Sequence, residues 1–449
     1  MPVAPRLMGR KRRLDRHERV AVTELDSDGV GLAEADGFKL RVRGALPGEQ
    51  VSVRVLRRRH KRLEGLAEVL WQPHRDRVAP PCPWTARCGA CVLQHLAPAA
   101  QRDVKRAHLA DLFAAEGVSG PERWLPDVTG PVTGYRHKAR LGVRSVPGRG
   151  ALIGFREPAS SRVADVDACR VLAPAVGAHL ANLKRLIGSL DIAAAIPQLE
   201  IACGDDDAAI VLRHLEPLST ADRERLVQHA GKFGWQLYLQ PGGPETVHRL
   251  WPELGDELLH YRLPEFGLQF AFHPLDFIQI NPAVNRRMVS LALGLLSPRP
   301  TDRVLDLFCG IGNFTLPLAS RAAAVTGVEG SAALLLRAQD NAIANAPAFA
   351  GSRVKFELAD LYADDFDVRS LPAADLLLLD PPRSGAERIA RDIRIMAPRR
   401  VVYVSCHPST LARDARLFAE GGYMLTAAGI LDMFPHTAHV ESIAVFEPN

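Results

Sequence analysis

The sequence predicts an α/β protein whose C-terminal part is a Rossmann-like, doubly wound and mostly parallel sheet. From about residue 283, short and almost continuously apolar strands alternate with helical segments. Strands covered by helices on both faces have this pattern. Short alternating runs before residue 72 and a cysteine-rich stretch after it predict two further units. With ~150 residues per domain as a guide, the 449 residues divide into three domains, at 1–72, 73–275 and 276–449.

The first unit is predicted to be a small barrel. Residues 17–70 alternate apolar and polar side chains in short runs, separated by glycine and acidic turn residues. This pattern predicts about five antiparallel strands of the OB type, a barrel whose faces commonly bind oligonucleotides.

Charge along the chain points to a polyanionic partner. Residues 1–62 contain 16 Lys and Arg against 8 Asp and Glu, a net charge of +8, whereas the rest of the chain carries about −3. The cations concentrate in GRKRR (9–13) and RVLRRRHKR (54–62). Such a segment favours nucleic acid as the partner, and a solvated basic tail is the alternative.

Composition favours a cytoplasmic enzyme. The chain is 47% hydrophobic and 24% charged, and no apolar run reaches the ~18 residues of a membrane span. The basic N-terminus lacks the apolar region of a secretory signal. We therefore expect a cytoplasmic protein with no membrane partner.

The central unit is predicted to be α+β. Residues 97–117 have helical spacing and stop at glycine; strands are predicted in GYRHKARLGVRSV (134–146), ALIGFREP (151–158) and SRVADVDAC (161–169), and a helix near 174–189.

Four cysteines have the spacing of metal ligands. Cys82, Cys88 and Cys91 lie within ten residues, and Cys169 is a distant fourth. Zinc and an iron–sulfur cluster both accept four cysteines. The absence of a second CxxC and of a histidine pair makes a zinc ribbon less natural, and four unconnected thiols are the alternative to a shared ligand. Cys203 and Cys309 are predicted to be packing residues.

The C-terminal unit carries a cofactor-site pattern. Strands are predicted at 303–308, 323–329, 353–360, 374–380 and 400–405, with an antiparallel pair closing the sheet. DLFCGIGNF (306–314) ends the first strand in a glycine turn, and Glu329, Asp360 and Asp380 end the next three. Ligands bind at this edge of such sheets, where an acidic residue accepts ribose hydroxyls. Because no P-loop lysine follows the glycines, S-adenosylmethionine fits better than a triphosphate or NAD, with another nucleotide as the alternative.

Cys406 follows the fifth strand at the same edge, and Glu441 opens the last strand. A thiolate, a carboxylate and a methyl donor in one cleft indicate methylation of uracil C5. Thiolate addition at C6 activates C5, and a base then removes the C5 proton. Arg383, His436 and His439 are candidates for lowering the thiol pKa. A buried structural thiol is the alternative.

Nearly the whole chain resembles the RNA uracil-5-methyltransferase family and, within it, the branch that acts on 23S ribosomal RNA, and the methyltransferase motifs lie in its C-terminal part. They are FIQIN, LFCGIGNF, GVE, LLLLDPPRSG, VSCHPSTLARD and HTAHVE, in that order. The resemblance implies a TRAM-type barrel, a [4Fe–4S] site at the four cysteines, Cys406 as nucleophile and Glu441 as base. It also implies S-adenosylmethionine contacts from Gln279, Phe308, Asn313, Glu329, Asp360 and Asp380. SCHP departs from the more usual SCNP, so His407 is expected to alter local hydrogen bonding.

The resemblance further implies a monomeric enzyme that makes 5-methyluridine in 23S rRNA from a single-stranded or flipped-out uridine. It also implies that the helix near 97–117 packs on the catalytic domain. The tRNA-specific relatives are expected to lack the barrel and the cysteine cluster, which favours ribosomal RNA. Three alternatives stay open: another rRNA or tRNA uridine, an exocyclic amine as methyl acceptor, and a non-catalytic RNA-binding iron–sulfur protein.

Overall fold

The computed structural model describes residues 16–349 and 351–449. The basic GRKRR segment therefore lies outside the described residues. Among the helices of the described residues, none is both long and apolar enough to cross a bilayer.

Five strands form a closed barrel at the N-terminus, the number that the alternation predicts. In the barrel, β1 pairs with β2 and β4, and β5 lies between β3 and β4. Alternate residues such as Val20, Val22, Val51 and Val53 point inward and are almost fully buried. The strands are β1 (Arg16–Leu25), β2 (Gly31–Ala35), β3 (Phe38–Arg43), β4 (Gln50–Arg59) and β5 (Arg62–Gln72).

The cysteine-rich segment leads into a long helix, α1 (Pro98–Ala115), which begins with proline at its first position. Its buried residues recur every four positions: Gln101, Lys105, Leu109 and Phe113. Because residues four apart share one face of a helix, α1 buries a stripe that is polar in its first half and apolar in its second.

A six-stranded sheet forms the core of the central unit, in the order β12-β11-β10-β9-β7-β8. Helices α2 (Pro174–Gly177), α3 (Leu180–Gly188) and α4 (Thr220–Phe233) accompany it. The strands of this part of the chain are β6 (Arg123–Trp124), which joins another sheet, β7 (Lys138–Val146), β8 (Gly150–Gly154), β9 (Gln198–Cys203), β10 (Ala208–Arg213), β11 (Trp235–Gln240) and β12 (His248–Trp251).

Two predicted elements of the central unit differ in the structure. Residues 161–169 form no regular strand and make only one isolated bridge, between Arg156 and Val163. The carboxylates of Asp165 and Asp167 instead bind Lys184. The helix predicted near 174–189 is two helices, α2 and α3. Polar and apolar residues alternate in 161–169 as they do in a strand. The polar residues Asp165 and Asp167, however, bind Lys184 and do not form the solvent face of a strand.

A hairpin of β13 (Leu259–Leu263) and β14 (Leu268–Phe272) precedes an eight-stranded sheet with the order β17-β16-β15-β18-β19-β21-β20-β6. The first five strands are parallel, and β21 and β20 form the predicted antiparallel closing pair. The added strands are β15 (Arg303–Leu307), β16 (Ala324–Glu329), β17 (Arg353–Leu358), β18 (Leu376–Leu379), β19 (Arg400–Ser405), β20 (Tyr423–Leu431) and β21 (Glu441–Pro448).

Helices cover both faces of this sheet, as the apolar strands predict. One apolar cluster joins the sheet to α5 and the β13–β14 hairpin, and the other joins it to α1, α8 and α10. Helix α1 thus lies against α10 and β20 of the last sheet although it precedes the central unit in the chain. The helices are α5 (Pro282–Leu296), α6 (Thr315–Ala319), α7 (Ala332–Ala344), α8 (Glu387–Arg391), α9 (Ile393–Met396) and α10 (Pro408–Glu420).

Candidate active site

One cavity of about 690 Å³ lies at the carboxyl ends of the parallel strands. Residues that directly follow β15, β17, β18 and β19, together with the last residue of β16, contribute to its wall. Every candidate cofactor and catalytic residue from the sequence lines it: Gln279, Phe308, Asn313, Glu329, Asp360, Asp380, Cys406 and Glu441.

The glycine turn after β15 holds Glu329 in place. The backbone N–H of Gly310 donates to Glu329 Oε2 (3.0 Å), and the N–H of Ser331 donates to Oε1 (2.9 Å). Gly310 and Gly312 both have positive φ (56° and 92°), which glycine adopts without steric cost. Each carboxylate oxygen accepts more than one hydrogen bond, so Glu329 retains acceptor capacity for a pair of ribose hydroxyls.

Phe308 also has positive φ, 65°, an uncommon conformation for a residue with a side chain. Its ring lies 5.6 Å from that of Tyr362, and both rings line the cavity. The N–H of Tyr362 donates to Asp360 Oδ1 (2.9 Å). The turns after β15 and β17 therefore present two aromatic rings and one carboxylate to the same space.

Asn313 is fixed by a network of three hydrogen bonds. Its Oδ1 accepts from Asn285 Nδ2 (2.9 Å) and from the Tyr261 hydroxyl (3.0 Å), and its Nδ2 donates to Asn285 Oδ1 (3.0 Å). An amide has two lone pairs and two N–H groups, so one N–H of Asn313 is left for a ligand. Sequence analysis did not identify Tyr261 or Asn285, because each sits in an ordinary strand or helix pattern.

Two buried carboxyl groups lie beneath and beside the turn. Burial raises the pKa of Asp306 to about 8, although the Thr315 hydroxyl donates to it (2.5 Å). Burial also raises the pKa of Asp380 to about 7, and Gln279 Nε2 donates to its Oδ2 (3.2 Å). Each carboxyl group therefore resists ionisation.

Strand pairing brings Cys406 and Glu441 together. β19 and β21 are antiparallel neighbours in which Ser405 pairs with Ser442, so Cys406 and Glu441 are the next facing positions. Proline at 408 starts α10 directly after the thiol. The two side chains meet at the edge of the sheet where the cofactor residues lie.

The electrostatics of this pair are set by burial. Burial, followed by the carboxyl groups of Glu441 and Asp380, raises the pKa of Cys406 to about 12, while Arg383 acts in the opposite direction. Glu441 is 2% exposed, and burial, followed by Asp380, raises its pKa well above the ordinary value. A raised pKa makes the carboxylate form of Glu441 a stronger base.

Two aromatic rings and one histidine form part of the cavity wall. Phe277 lines it with a side chain that is 64% exposed. His439 also lines it, next to the ring of Phe434 (5.5 Å). His436 lies away from the cavity and is buried against α1, with its backbone N–H bound to Gln101. Of the two histidines considered from sequence, only His439 is a cavity residue.

The four clustered cysteines lie together, away from this cavity. Burial, together with the charges of Cys169 and Cys82, raises the pKa of Cys88 to about 11 and that of Cys91 to about 12. The four thiols therefore lie within electrostatic range of one another. Among the described residues, however, no group of three or more His, Cys, Asp or Glu side chains is arranged so that it could hold a metal ion. Cys203 and Cys309 are both buried, and Cys309, predicted to be a packing residue, also lines the cavity.

Comparison with known proteins matches this organisation. The family model described as tRNA (Uracil-5-)-methyltransferase matches residues 256–448. The chain is 46% identical over 440 residues to the 23S rRNA (uracil(1939)-C(5))-methyltransferase RlmD of Alcanivorax borkumensis, covering 98% of both chains. It is 48% identical over 433 residues to the protein of the same name from Bordetella bronchiseptica, covering 95% of this chain and 92% of that protein.

A solved structure has the same fold. It is the Pyrococcus abyssi tRNA (uracil-54, C5)-methyltransferase in complex with S-adenosyl-L-homocysteine, with a TM-score of 0.70 and 24% identity. The match covers 95% of this chain and 100% of the solved chain. The unmatched part of this chain is shorter than the barrel, so the match includes residues of the barrel. The expectation that tRNA-specific relatives lack the barrel is therefore wrong, and the barrel does not discriminate between the two RNA classes.

Proposed function

Because this chain belongs to the family of RNA uracil-C5-methyltransferases, we propose that it uses S-adenosylmethionine to methylate C5 of a uridine in 23S rRNA. The product is 5-methyluridine. The observation that carries the proposal is the single cavity in which Cys406 and Glu441 face the glycine turn and Glu329. Full-length similarity to relatives named for uracil 1939 of 23S rRNA supports that position as the target.

Gln279, Phe308, Asn313, Glu329, Asp360 and Asp380 are assigned to the cofactor. When bound, S-adenosylmethionine supplies an electrophilic methyl group and a positive sulfonium charge. Glu329 accepts the ribose hydroxyls, Phe308 covers an apolar face, and the free N–H of Asn313 donates to a polar group. These assignments follow from the groups that each residue turns into the cavity.

Cys406 and Glu441 carry the chemistry of the base. The thiol proton of Cys406 passes to solvent, the sulfur bonds to C6, and the electrons of the C5=C6 bond form an enolate whose C5 can take a methyl group. S-adenosylmethionine would supply that methyl group and would leave as S-adenosylhomocysteine. The carboxylate of Glu441 then removes the C5 proton, the double bond re-forms, and the thiolate leaves. Arg383 favours the thiolate by its charge. Covalent activation divides one difficult step into easier ones.

The four-cysteine group is assigned a [4Fe–4S] cluster, held by Cys82, Cys88, Cys91 and Cys169. Burial of these thiols and the mutual influence of their charges support a shared ligand. Anaerobic purification is expected to give brown protein with about four iron atoms per chain. One equivalent of zinc and no iron would overturn the assignment.

The barrel is assigned to RNA binding. Arginines of the β4–β5 hairpin, together with the net charge of residues 1–62, suit a phosphate backbone. The target uridine must leave its stack to enter the cavity, as base-modifying enzymes require. We assign the domains as 1–72, 73–275 and 276–449, in a monomer.

The test uses labelled S-adenosylmethionine with two RNAs, a 23S rRNA fragment containing position 1939 and bulk tRNA. Transfer to the fragment, with 5-methyluridine mapped at that uridine, is the expected result. Transfer to tRNA alone would replace the substrate assignment and keep the chemistry. No transfer to any RNA, with the cofactor bound, would favour a binding protein.

A further inference from the structure

The loop between β20 and β21, residues 432–440, is called the base loop here because it leads directly into Glu441. Phe434 and His439 of this loop line the cavity together with Glu441. Its backbone geometry includes a positive φ at His436 (68°). Such a conformation persists only when the surrounding contacts hold it in place. The groups that contact the base loop therefore determine the position of Glu441.

Lys105 of α1 reaches the start of the base loop. Its Nζ donates to Asp432 Oδ1 (2.9 Å) and to the Phe434 carbonyl (3.1 Å). Both charged side chains are 2% exposed. A buried ion pair often adds no net stability compared with apolar residues of similar volume, because both charges lose their hydration. The pair instead fixes the position of the loop, because Lys105 holds both Asp432 and Phe434 against α1.

Gln101, one helical turn earlier, holds the middle of the base loop. Its Oε1 accepts from the N–H of His436 (2.8 Å), and its Nε2 donates to the Leu93 (3.0 Å) and Leu96 (2.7 Å) carbonyls. The N–H of Leu93 in turn donates to the His436 carbonyl (2.9 Å). One glutamine therefore joins the loop to the segment that follows the clustered cysteines.

We propose that Lys105 and Gln101 are positioning residues that hold the base loop so that Glu441 faces the C5 proton of the bound uracil. The inference rests on the proposed role of Glu441 as base. Neither residue lines the cavity, so both act through the loop. Displacement of a catalytic group by about 1 Å can cost about 100-fold in rate, and loss of the Lys105 contacts frees two anchor points of the loop.

The first test replaces Lys105 by an uncharged side chain of similar length, Lys105→Met. The expected result is a fall in kcat of roughly 10- to 100-fold, with unchanged dissociation constants for RNA and for S-adenosylmethionine. Because attack and methyl transfer precede proton removal, a covalent protein–RNA adduct should accumulate on ordinary RNA. Arg106→Gln is the matched control, since Arg106 lies on the same helix and pairs with Asp127 instead of the loop.

A second variant separates positioning from stability. Lys105→Met combined with Asp432→Leu leaves no unpaired buried charge, so it is expected to fold like the wild type while keeping the slow, adduct-accumulating turnover. Wild-type kcat in this folded double variant would overturn the inference. So would a slow variant that accumulates no adduct.

Glu441→Gln in the same assay distinguishes the two proposals. If Glu441→Gln turns over normally, the assignment of Glu441 as base fails. If Glu441→Gln accumulates adduct and both Lys105 variants do not, only the positioning role fails.

Discussion

The two sides of the active-site cavity are built in different ways. On the cofactor side, Gly310, Glu329, Asp360 and Asp380 belong to the ends of consecutive strands of one parallel sheet, and their hydrogen-bond partners lie within the C-terminal unit. On the base side, Glu441 follows a loop held by groups about 300 or more residues earlier, including Lys105, Gln101 and Tyr135.

The residues on the two sides of the cavity are therefore positioned in two different ways. The parallel sheet places the acidic cofactor residues at one edge by strand order, so they need little beyond the C-terminal unit, whereas Asn313 is oriented by Tyr261 and Asn285. The base side depends on how the preceding segments dock against that unit. Variants on the cofactor side should therefore change affinity, and variants on the base side should change the rate of proton removal.

The largest effect is expected on the base side, from Glu441→Gln. Loss of the general base should lower kcat by ~10²–10⁴-fold, because the methylated adduct cannot lose its C5 proton. Gel analysis of ordinary RNA should show accumulated adduct, and calorimetry should show wild-type affinity for S-adenosylmethionine. If Glu441→Gln lost affinity for S-adenosylmethionine as strongly as it lost kcat, the distinction between the cofactor side and the base side would be contradicted.

The thiol between the two sides should be unreactive in the free enzyme. Since burial and neighbouring carboxyl groups raise the pKa of Cys406 to about 12, the thiolate fraction grows as pH rises and is far from complete at pH 9. Alkylation of Cys406 by iodoacetamide, followed by peptide mass spectrometry, should accelerate about tenfold per pH unit between pH 7 and 9. A rate that levels off below pH 8 would contradict this environment.

On the cofactor side, Glu329→Gln should weaken S-adenosylmethionine binding about 10- to 100-fold, the cost of losing hydrogen bonds to a charged group. At saturating cofactor, kcat should stay near that of the wild type. Glu357→Gln on β17 is a suitable control because Glu357 lies outside the cavity lining. Equal loss of affinity in both variants would remove the special role of Glu329.

The smallest effect is expected from Tyr261→Phe. It removes the hydroxyl that donates to Asn313 Oδ1 and leaves the paired amide of Asn285 in place. Loss of one such hydrogen bond costs about 0.5–1.5 kcal/mol, or roughly 2- to 10-fold in cofactor affinity by calorimetry. Unchanged affinity would mean that Asn285 alone orients Asn313.

The contrast also explains what the sequence could predict. The parallel strands and the acidic residues at their ends were predictable, because buried strands are continuous apolar runs and each ends at the same sheet edge. Asn285, Tyr261 and Lys105 were not, because each acts across a long sequence separation without a local pattern. From the sequence alone, Lys105 on α1 is expected to face solvent. Only the packing of α1 against the last sheet shows that it is buried.

The central claim is that the sulfur of Cys406 bonds to the target uracil, and 5-fluorouridine tests it most directly. A 23S rRNA fragment with 5-fluorouridine at the target should, with S-adenosylmethionine, form a stable adduct that peptide mapping places on Cys406, because fluorine cannot leave as a proton does. Cys406→Ala should form none. If the wild-type enzyme methylates ordinary RNA at full rate but yields no adduct, or yields one on another residue, the account is contradicted.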